Sequence, residues 1–532
     1  MTRDLFICFV VLLVLYSCTP EYEDRIFFDK DLVSIAGYLE EHSETYSSFY
    51  RIMMEGGLYT SLSSYNPLGT GFTLFLPTDD AFERYIAKNQ KYGSFEELMN
   101  DNDFVRELGR YHLVNTELKT NEFPYGALPD TTATGDLLTI GFSVELDSTV
   151  YKVNNVAPVI EPNLEMVNGY IHVISEVLEP VNFSGYQWLF DNPGFSVLAQ
   201  ALEITGLKDT LGFYRTNSAG QQVKNKYTIL AEHDSIFARN GIHSIEDLED
   251  AYKSPGIPVT DPDNELYQFA AYHVLEDEYF LADFTESRNY NTYANAPVYI
   301  AAGLEVRINP GVDTFRMEIS DMGDTTYITY LSLFYQESNI LTKNGAIHLI
   351  SEVMNPYTPP ISSRLFEFYE EPEISRLSNE PGKHYFLKDE QDELEVISWE
   401  GPNEILYFKS SSTSESAANE DYIEIDGNFK INYTMPKILP GKYTLFLRAN
   451  GWNGNNEHAT ILVSVDGERM SGNFNLNSGG TSTNPYTINS NWNGYEIGDI
   501  EFTKYKEHTI TIESLIPGTF IWDRVGFLLP EK

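Results

Sequence analysis

Cysteine is nearly absent from this chain, which has only Cys8 and Cys18 among its 532 residues. Both lie close to the N-terminus, so the body of the chain has no disulfide and no thiolate for catalysis or metal binding. Stability must therefore come from packed cores. The hydrophobic content of 42% and the aromatic content of 14% supply enough apolar material for about two to four domains.

Basic residues are also scarce, because 35 lysines and arginines stand against 79 aspartates and glutamates, a formal net charge of −44. Such a surface repels phosphate backbones and anionic lipid headgroups. Nucleic acid is therefore excluded as a partner, and membrane attachment falls to a lipid anchor alone. High acidity most often serves solubility. A cationic partner and incidental calcium sites stay open as alternatives.

A long hydrophobic segment is missing at the N-terminus. The apolar run from Leu5 to Leu15 has eleven residues, too few for a hydrocarbon core that needs about 20. The run follows Arg3 and ends in Leu-Tyr-Ser-Cys, so it is typical of a signal peptide.

The Leu-Tyr-Ser-Cys ending resembles the cleavage site of a bacterial lipoprotein, although Tyr16 is bulkier than the usual residue. The resemblance implies that residues 1–17 are a lipoprotein signal peptide, that Cys18 carries the lipid, and that residues 18–30 form a tether. An ordinary secretory signal with a chance cysteine is the alternative.

Acidic residues follow the cysteine at Glu21, Glu23 and Asp24. In lipoproteins of one group of Gram-negative bacteria, those of the Bacteroidota type, acidic residues at this place resemble a signal for display on the cell surface. The resemblance implies an outer-membrane lipoprotein that is exposed to the outside.

Motifs of catalysis are missing as well. The sequence has no Gly-x-Ser-x-Gly elbow, no phosphate loop and no dinucleotide fingerprint, and neither repeat described below carries two histidines at metal spacing on one helix. We therefore expect no enzyme and no cofactor, and assign no metal ligands. A structural calcium ion remains an alternative.

The chain does contain a long internal repeat. Residues 168–180 read Asn-Gly-Tyr-Ile-His-Val-Ile-Ser-Glu-Val-Leu-Glu-Pro, and residues 344–356 read Asn-Gly-Ala-Ile-His-Leu-Ile-Ser-Glu-Val-Met-Asn-Pro. The spacing far exceeds a solenoid unit, so a whole domain that buries its own core is duplicated.

Each copy carries three landmarks in the same order. An apolar strand leads into a helix at Thr73–Phe82 and again at Thr228–Phe237, and a Tyr-His pair and the Asn-Gly-x-Ile-His strand follow. In the first copy Thr78 is a good helix N-cap, with acidic residues in the first turn. The second copy lacks this threonine and the proline before it, and is the more diverged.

These three motifs resemble the signature regions of fasciclin domains, with residues 31–181 as the first domain and residues 182–357 as the second. The resemblance implies a β-sandwich-like core wrapped by short helices, and a role in adhesion or extracellular binding without catalysis. A histidine in a strand is usually a satisfied structural group. The motif residues are therefore expected to be structural, with an adhesive role as the alternative: Tyr111, His112, His172, Tyr272, His273 and His348.

The composition changes after the second repeat. Tyr357-Thr358-Pro359-Pro360 indicates a stiff spacer, so residues 358–384 are interpreted as a linker. From residue 385 to 532, alternating apolar and polar residues predict strands at Tyr422–Ile425, Phe429–Tyr433, Tyr443–Leu447, Thr460–Val465 and Thr509–Ile512. The predicted fold class is thus multidomain α+β and all-β, with two fasciclin-like α/β modules followed by a β-sandwich of jelly-roll type.

Several short motifs in this last segment resemble, in their order, the galactose-binding-like sandwich of carbohydrate-binding modules: Pro440–Tyr443, Leu447–Asn450, Val465–Gly467, His508–Ile510 and Trp522–Phe527. The segment departs from that family in a long Asn/Gly-rich stretch from Gly472 to Asn493 and in having no clear set of calcium ligands. Trp399 and Trp522 lie in strand patterns and are expected in the core.

Sugars stack their C–H faces on exposed aromatic rings, while short polar side chains bind the hydroxyl groups. Two tryptophans in loops rich in asparagine and glycine fit this need. The predicted carbohydrate site consists of Trp452, Trp492, Tyr495, Asn450 and Asn491. The alternative is that one or both tryptophans plug a loop against the sandwich or pack on the neighbouring domain.

Together these patterns predict a non-catalytic, lipid-anchored cell-surface protein. It would recognise a glycan through the C-terminal sandwich, as an accessory to glycan uptake, while the two repeats serve as spacer and adhesive platform. One alternative is adhesion to an extracellular protein, either an outer-membrane transporter or a host-matrix component. The other is a polysaccharide hydrolase or lyase.

Overall fold

The structure is a computed structural model, and it describes residues 32–64, 71–145, 148–216, 222–310, 317–319, 325–327, 330–377, 379–388, 394, 396–411, 421–451, 458–476 and 493–530. The chain divides into two compact units, Met1–Pro180 and Val181–Lys532.

The first unit contains six α-helices, one 3-10 helix (Thr120–Glu122) and seven strands in its described part. The helices are α1 (Ile35–Glu41), α2 (Ser47–Glu55), α3 (Tyr59–Ser63), α4 (Asp79–Lys88), α5 (Phe95–Met99) and α6 (Asn102–Tyr111). The strands are β1 (Phe72–Pro77), β2 (Leu113–Val114), β3 (Gly126–Ala127), β4 (Thr139–Glu145), β5 (Ser148–Val153), β6 (Ala157–Met166) and β7 (Gly169–Ile174).

The strands of the first unit form one sheet in the order β2-β1-β7-β6-β5-β4-β3, in which β1 and β7 are parallel. Successive side chains of a strand point to opposite faces. Leu74 and Leu76 of β1 accordingly pack with the helices, whereas Phe75 between them joins a second cluster on the other side. The sheet is therefore buried on both faces along β1, which is why this strand is almost entirely apolar.

Thr78 is the N-cap of α4, as predicted. Its side chain accepts a hydrogen bond from the Ala81 N–H at 3.2 Å, and Asp79 and Asp80 occupy the first turn of α4. In the second copy His233 takes the threonine's place as N-cap, and its ring nitrogen accepts a hydrogen bond from the Ser235 N–H at 3.1 Å.

The second unit begins with the other repeat. Its helices are α7 (Gly185–Asp191), α8 (Ser196–Ile204), α9 (Leu207–Thr210), α10 (Asp234–Arg239), α11 (Ile245–Ala251) and α12 (Glu265–Tyr272). Its strands are β8 (Tyr214–Thr216), β9 (Gln222–Lys224), β10 (Tyr227–Ala231), β11 (Val274–Leu275), β12 (Arg288–Tyr290), β13 (Val298–Ala301), β14 (Arg307–Ile308), β15 (Met317–Ile319), β16 (Thr325–Tyr327), β17 (Leu331–Ser332), β18 (Ile340–Thr342) and β19 (Gly345–Leu349).

The second repeat keeps the central strand pair of the first. Strand β10 runs parallel to β19, with Leu230 opposite His348, just as Phe75 lies opposite His172 in the first repeat. Strand β11 is antiparallel to β10, as β2 is to β1. The duplicated sequence motifs thus produce a duplicated sheet centre.

The C-terminal region is rich in sheet. Its elements are β20 (Arg364–Glu367), α13 (Pro372–Ser375), β21 (Gly382–Leu387), β22 (Ile397–Glu400), β23 (Glu404–Lys409), β24 (Asp421–Gly427), β25 (Lys430–Ile438), β26 (Gly441–Asn450), β27 (Thr460–Val465), β28 (Glu468–Arg469), β29 (Phe474–Asn475), β30 (Asn493–Phe502), β31 (Lys506–Ile516) and β32 (Gly518–Leu528).

These strands form two sheets with one shared core. The first sheet has the order β21-β23-β24-β32-β26-β30, with β20 beside β32, and the second has the order β22-β25-β31-β27-β28, with β29 beside β27. Trp399 and Trp522 are 2% and 0% exposed and lie in the core between the sheets, as expected from the sequence.

The sheet extends further toward the N-terminus than the strand pattern indicated. Strand β20 lies within the segment interpreted as a linker, yet it pairs with β32 from Arg364 opposite Phe527 to Glu367 opposite Arg524. A strand of four residues with two charged ends has no clear alternation, so its pairing depends on the distant partner strand.

Candidate functional site

The glycine of the repeated Asn-Gly-x-Ile-His motif is required by a close approach of two strands. A Cβ atom on Gly169 would lie 1.9 Å from the Phe72 carbonyl oxygen, and one on Gly345 would lie 1.8 Å from the Tyr227 carbonyl oxygen. Gly169 also has a φ of 144°, a conformation that favours glycine. Any side chain at this position would push the two parallel strands apart.

The asparagine of the motif ties the sheet to the helices. Asn168 Oδ1 accepts a hydrogen bond from the Ile35 N–H at 2.9 Å, and Asn168 Nδ2 donates to the Leu62 carbonyl at 2.7 Å. In the second repeat Asn344 Nδ2 donates to the Gly212 carbonyl at 3.0 Å. Each asparagine therefore satisfies backbone groups that would otherwise be buried without partners.

The histidine of the motif bridges two backbone segments. His172 Nε2 lies 2.9 Å from the Leu118 carbonyl, so this nitrogen donates, and Nδ1 accepts from the Asn163 N–H at 3.1 Å. One nitrogen donates and the other accepts, which is the bonding of a neutral imidazole. Burial lowers the pKa of His172, in agreement with that state.

The second repeat has the same bridge. His348 Nε2 donates to the Tyr279 carbonyl at 2.8 Å, and Nδ1 accepts from the Asn339 N–H at 3.2 Å. Burial lowers the pKa of His348 to about 4. Both histidines are therefore neutral structural bridges at pH 7.

The histidine of the Tyr-His pair makes a similar bridge in the first repeat. His112 Nδ1 donates to the Leu108 carbonyl at 2.8 Å, and Nε2 accepts from the Leu178 N–H at 3.0 Å. Burial lowers the pKa of His112 to about 4. The bridge holds the end of α6 to the segment that follows β7.

The corresponding bridge in the second repeat includes a carboxylate. Glu232 stands at the position of Pro77, and its Oε1 accepts from the Met354 N–H at 2.8 Å and lies 2.7 Å from His273 Nε2. Both side chains are 0% exposed. His273 Nδ1 donates to the Phe269 carbonyl at 2.8 Å. The direct contact of the first repeat is thus replaced by a buried Glu-His pair.

The tyrosine of the Tyr-His pair is held by an asparagine that the sequence patterns did not indicate. Asn154 Nδ2 donates to the Tyr111 hydroxyl at 3.0 Å, and Asn309 Nδ2 donates to the Tyr272 hydroxyl at 3.0 Å. Both asparagines have a positive φ, of 51° and 46°. Asparagine tolerates this conformation better than most residues, which is the signal that could have marked these positions.

An aspartate at the start of a helix also caps a neighbouring helix, which the sequence patterns did not indicate. The Asp79 carboxylate accepts hydrogen bonds from the backbone N–H groups of Ser47 and Ser48 at 3.0 and 2.8 Å. Asp234 does the same for Ser196 and Val197, at 3.0 Å each. Each aspartate therefore caps a neighbouring helix as well as favouring its own first turn.

The six fasciclin motif residues named from the sequence are all fully buried, at 0% exposure: Tyr111, His112, His172, Tyr272, His273 and His348. The Tyr272 hydroxyl also contacts the Tyr357 carbonyl, at the end of the second repeat, at 3.3 Å. In this conformation they offer no surface to a receptor.

Two residues of the predicted carbohydrate site are described. Asn450 is half-buried at the end of β26. Tyr495 is 2% exposed, and its ring lies in the core with its edge toward Phe474 at 6.5 Å between centroids. A sugar cannot stack on the Tyr495 ring in this arrangement. Trp452, Asn491 and Trp492 lie outside the described residues, as does Cys18.

In the described part of the chain, no helix is both long and apolar enough to span a membrane. No cluster of three or more His, Cys, Asp or Glu side chains suited to a metal ion occurs in those same ranges.

The duplicated parallel strand pair and its buried Tyr-His and Asn-Gly-x-Ile-His bridges define a tandem α/β module. A sequence profile of the Fasciclin domain matches residues 44–180 and 193–356, more than half of the chain. The chain belongs to the fasciclin domain family.

Curated relatives match part of the chain. Human periostin is 34% identical over 109 residues, which make up 20% of this chain and 12% of periostin. Protein sll1483 of Synechocystis sp. is 32% identical over 140 residues, which make up 26% of this chain and 69% of that protein. The chain thus spans only a small part of the length of periostin.

Solved structures of other proteins also align with part of the chain. A FAS1 domain pair from the insect cell adhesion molecule Fasciclin I covers 58% of this chain and 96% of its own, at 17% identity and a TM-score of 0.25. A family 35 carbohydrate binding module from Clostridium thermocellum covers 28% of this chain and 99% of its own, at 12% identity and a TM-score of 0.18.

Proposed function

We propose that this protein is a non-catalytic, lipid-anchored binding protein of the outer cell surface. In this proposal the two fasciclin domains are a spacer and adhesive platform, and the C-terminal region is a jelly-roll sandwich that recognises a glycan as an accessory to glycan uptake. Membership of the fasciclin family supports a role in adhesion or binding.

One observation carries the glycan proposal. Strands β26 and β30 are antiparallel, and Ala449 near the end of β26 is paired with Asn493 at the start of β30. Trp452 follows Ala449 by three residues, and Trp492 directly precedes Asn493. The anchor points of both tryptophan-bearing segments are therefore neighbours at one end of one sheet.

A buried polar atom lies close to the same anchor points. A Cβ atom on Gly451 would lie 2.9 Å from His458 Nδ1, so the two residues are adjacent. His458 Nδ1 is buried and has no hydrogen-bond partner in the described part of the chain. Buried polar atoms are normally satisfied, so this nitrogen supports a polar ligand or a loop group at this end of the sheet.

The test is a glycan array with the compact unit Val181–Lys532, with and without a chelator. We expect binding to at least one polysaccharide. Absence of binding across a broad array refutes the glycan proposal and leaves adhesion to a protein, which co-purification from detergent extracts would then show. Release of reducing ends from a bound polysaccharide contradicts the non-catalytic assignment.

A further inference from the structure

A cavity of about 550 Å³ lies on the outer face of the first sheet of the C-terminal region, the face directed away from the shared core. Strands β21, β23 and β24 form its floor, and the turn at Pro402 and Asn403 forms one wall. In the strand order, β32 separates these strands from β26 and β30. The volume falls within the roughly 300–1,000 Å³ of small-molecule sites.

The strand register determines which side chains face this cavity. Tyr385 of β21 lies opposite Leu406 of β23, which in turn lies opposite Glu424 of β24. The adjacent residues Tyr407 and Ile423 belong to the core between the two sheets. Successive side chains of a strand point to opposite faces. Tyr385, Leu406 and Glu424 therefore form a row on the outer face, and all three line the cavity.

The row begins with an exposed aromatic ring. Tyr385 is 50% exposed, whereas Leu406 beside it is only 7% exposed and provides an apolar floor. Sugar rings pack their C–H faces against aromatic rings, and an adjacent apolar floor adds to that contact. The surface formed by Tyr385 and Leu406 is therefore suited to the C–H face of a sugar ring.

The row ends with a carboxylate that has no donor. Glu424 is half-buried, and it accepts no hydrogen bond from any residue in the described ranges. Burial raises the pKa of Glu424, the neighbouring Asp426 carboxylate raises it further, and Lys383 lowers it. An ionised carboxylate can only accept hydrogen bonds. Glu424 therefore favours a ligand that brings hydroxyl donors, and it disfavours a ligand with negative charge.

The wall of the cavity is fixed by hydrogen bonds. Trp399 Nε1, in the core, donates to the Pro402 carbonyl at 3.1 Å. The Lys388 N–H donates to the Asn403 carbonyl at 2.8 Å, so the end of β21 is tied to the same turn. A wall that is already in place reduces the entropy lost when a ligand binds.

We propose that this cavity binds an uncharged sugar ring of a polysaccharide. The ring stacks on Tyr385, and its hydroxyl groups donate to Glu424 and to the rim carboxylates Glu404 and Asp426. The polysaccharide class of the ligand rests on the proposed function. The cavity itself shares no residue with the site predicted at the end of β26 and β30, so each site can be tested without the other.

Saturation-transfer NMR of the full chain carrying Trp452→Ala and Trp492→Ala tests the proposal, because these substitutions remove the two tryptophans of the other site. The probes are the neutral oligosaccharides cellohexaose, xylohexaose and mannohexaose, and the anionic trigalacturonate. We expect at least one neutral probe to bind, and trigalacturonate to bind at least about tenfold more weakly because Glu424 and its neighbours repel its carboxylates. If the wild type binds a neutral probe but the double variant binds none, this proposal fails while the proposed function stands.

Further substitutions in the same background locate the ligand. Tyr385→Ala is expected to weaken binding at least about tenfold, because both the stacking contact and its buried area are lost, whereas Tyr385→Phe keeps the ring and should bind normally. Glu424→Gln should weaken binding several-fold, since one acceptor oxygen is replaced by a donor. Tyr214→Ala removes a ring that is 68% exposed on the second fasciclin domain and is the matched control. Circular dichroism confirms the folding of each variant. Equal binding by Tyr385→Ala and Tyr214→Ala overturns the proposal.

Discussion

Replacing Glu232 by alanine should destabilise the second fasciclin domain more than any exposed glutamate substitution. The first domain needs no carboxylate here, because the Leu178 N–H reaches His112 Nε2 directly at 3.0 Å. In the second domain Glu232 Oε1 accepts from the Met354 N–H at 2.8 Å and contacts His273 Nε2 at 2.7 Å. Both contacts are lost together in Glu232→Ala.

The size of the effect follows from these contacts. A buried donor or acceptor left without a partner costs about 1–3 kcal/mol. The substitution leaves two such groups, the Met354 N–H and His273 Nε2. One gain offsets this, because Glu232 Oε2 is itself buried without a partner in the described structure. We therefore expect a loss of about 2–4 kcal/mol in the free energy of unfolding. Glu232→Gln keeps an acceptor for Met354 and should lose about half as much.

The assay is urea unfolding of the unit Val181–Lys532, followed by circular dichroism and checked by calorimetry for separate transitions. Glu249→Ala is the control, since Glu249 lies exposed on α11, and substitutions of this kind change stability by about 0.5 kcal/mol or less. If Glu232→Ala is as stable as Glu249→Ala, the buried Glu-His pair does not hold the domain together as described.

Three further outcomes are expected. Burial lowers the pKa of His348 to about 4, below the ordinary value of about 6.5. The folded state thus binds fewer protons than the unfolded state between these values, so about 3 kcal/mol of stability is lost as the pH falls from 6.5 to 4. When the free energy of unfolding is measured between pH 4 and 6.5, His348→Gln should therefore depend less steeply on pH than the wild type. An equally steep dependence in both proteins would contradict this role of His348. Asp234→Ala removes the cap of α8 at Ser196 and should cost about 1–2 kcal/mol in urea unfolding, whereas a neutral result would show that water replaces the carboxylate. Lys437→Ala breaks its ion pair with Glu276 and its bond to the Thr292 carbonyl. Burial already raises the pKa of Glu276, and without the lysine its carboxylate would stay buried without this cation, so the free energy of unfolding should fall by about 1–2 kcal/mol. A double-mutant cycle with Glu276→Ala that shows no coupling would refute the contact.

The duplicated domain was predictable because its three motifs occur twice in the same order. Some of their positions also follow local rules, such as the alternation of the closing strand. Thr78 caps its helix through a bond to a residue only three positions away. Interactions of this range leave a pattern in the sequence. The fasciclin family assignment followed from them.

Long-range partners leave no such pattern. Asp79 was interpreted from its own helix, yet it also caps Ser47 and Ser48, more than 30 residues earlier. The sequence shows that Glu232 stands where the first repeat has Pro77. The burial of Glu232 against His273, however, depends on the folded domain.

The predicted carbohydrate site in the C-terminal region also depends on structure that the sequence does not show. Alternation located five of the strands of the C-terminal region, and both Trp399 and Trp522 are in its core. Tyr495 was predicted to belong to the carbohydrate site, but the pleat of β30 directs its ring inward, where it is 2% exposed. Period-two alternation assigns a side chain to one face only when the strand register is known.

Titration of an array-selected polysaccharide into the unit Val181–Lys532, compared with its Trp452→Ala/Trp492→Ala variant, tests the central claim most directly. We predict that the double variant loses at least about tenfold in affinity, because each aromatic stacking contact contributes roughly 0.5–1.5 kcal/mol beyond its buried area. The control Phe190→Ala removes a ring that is 61% exposed on the fasciclin domain and should bind normally. Equal binding by wild type and double variant would contradict glycan recognition through the C-terminal region.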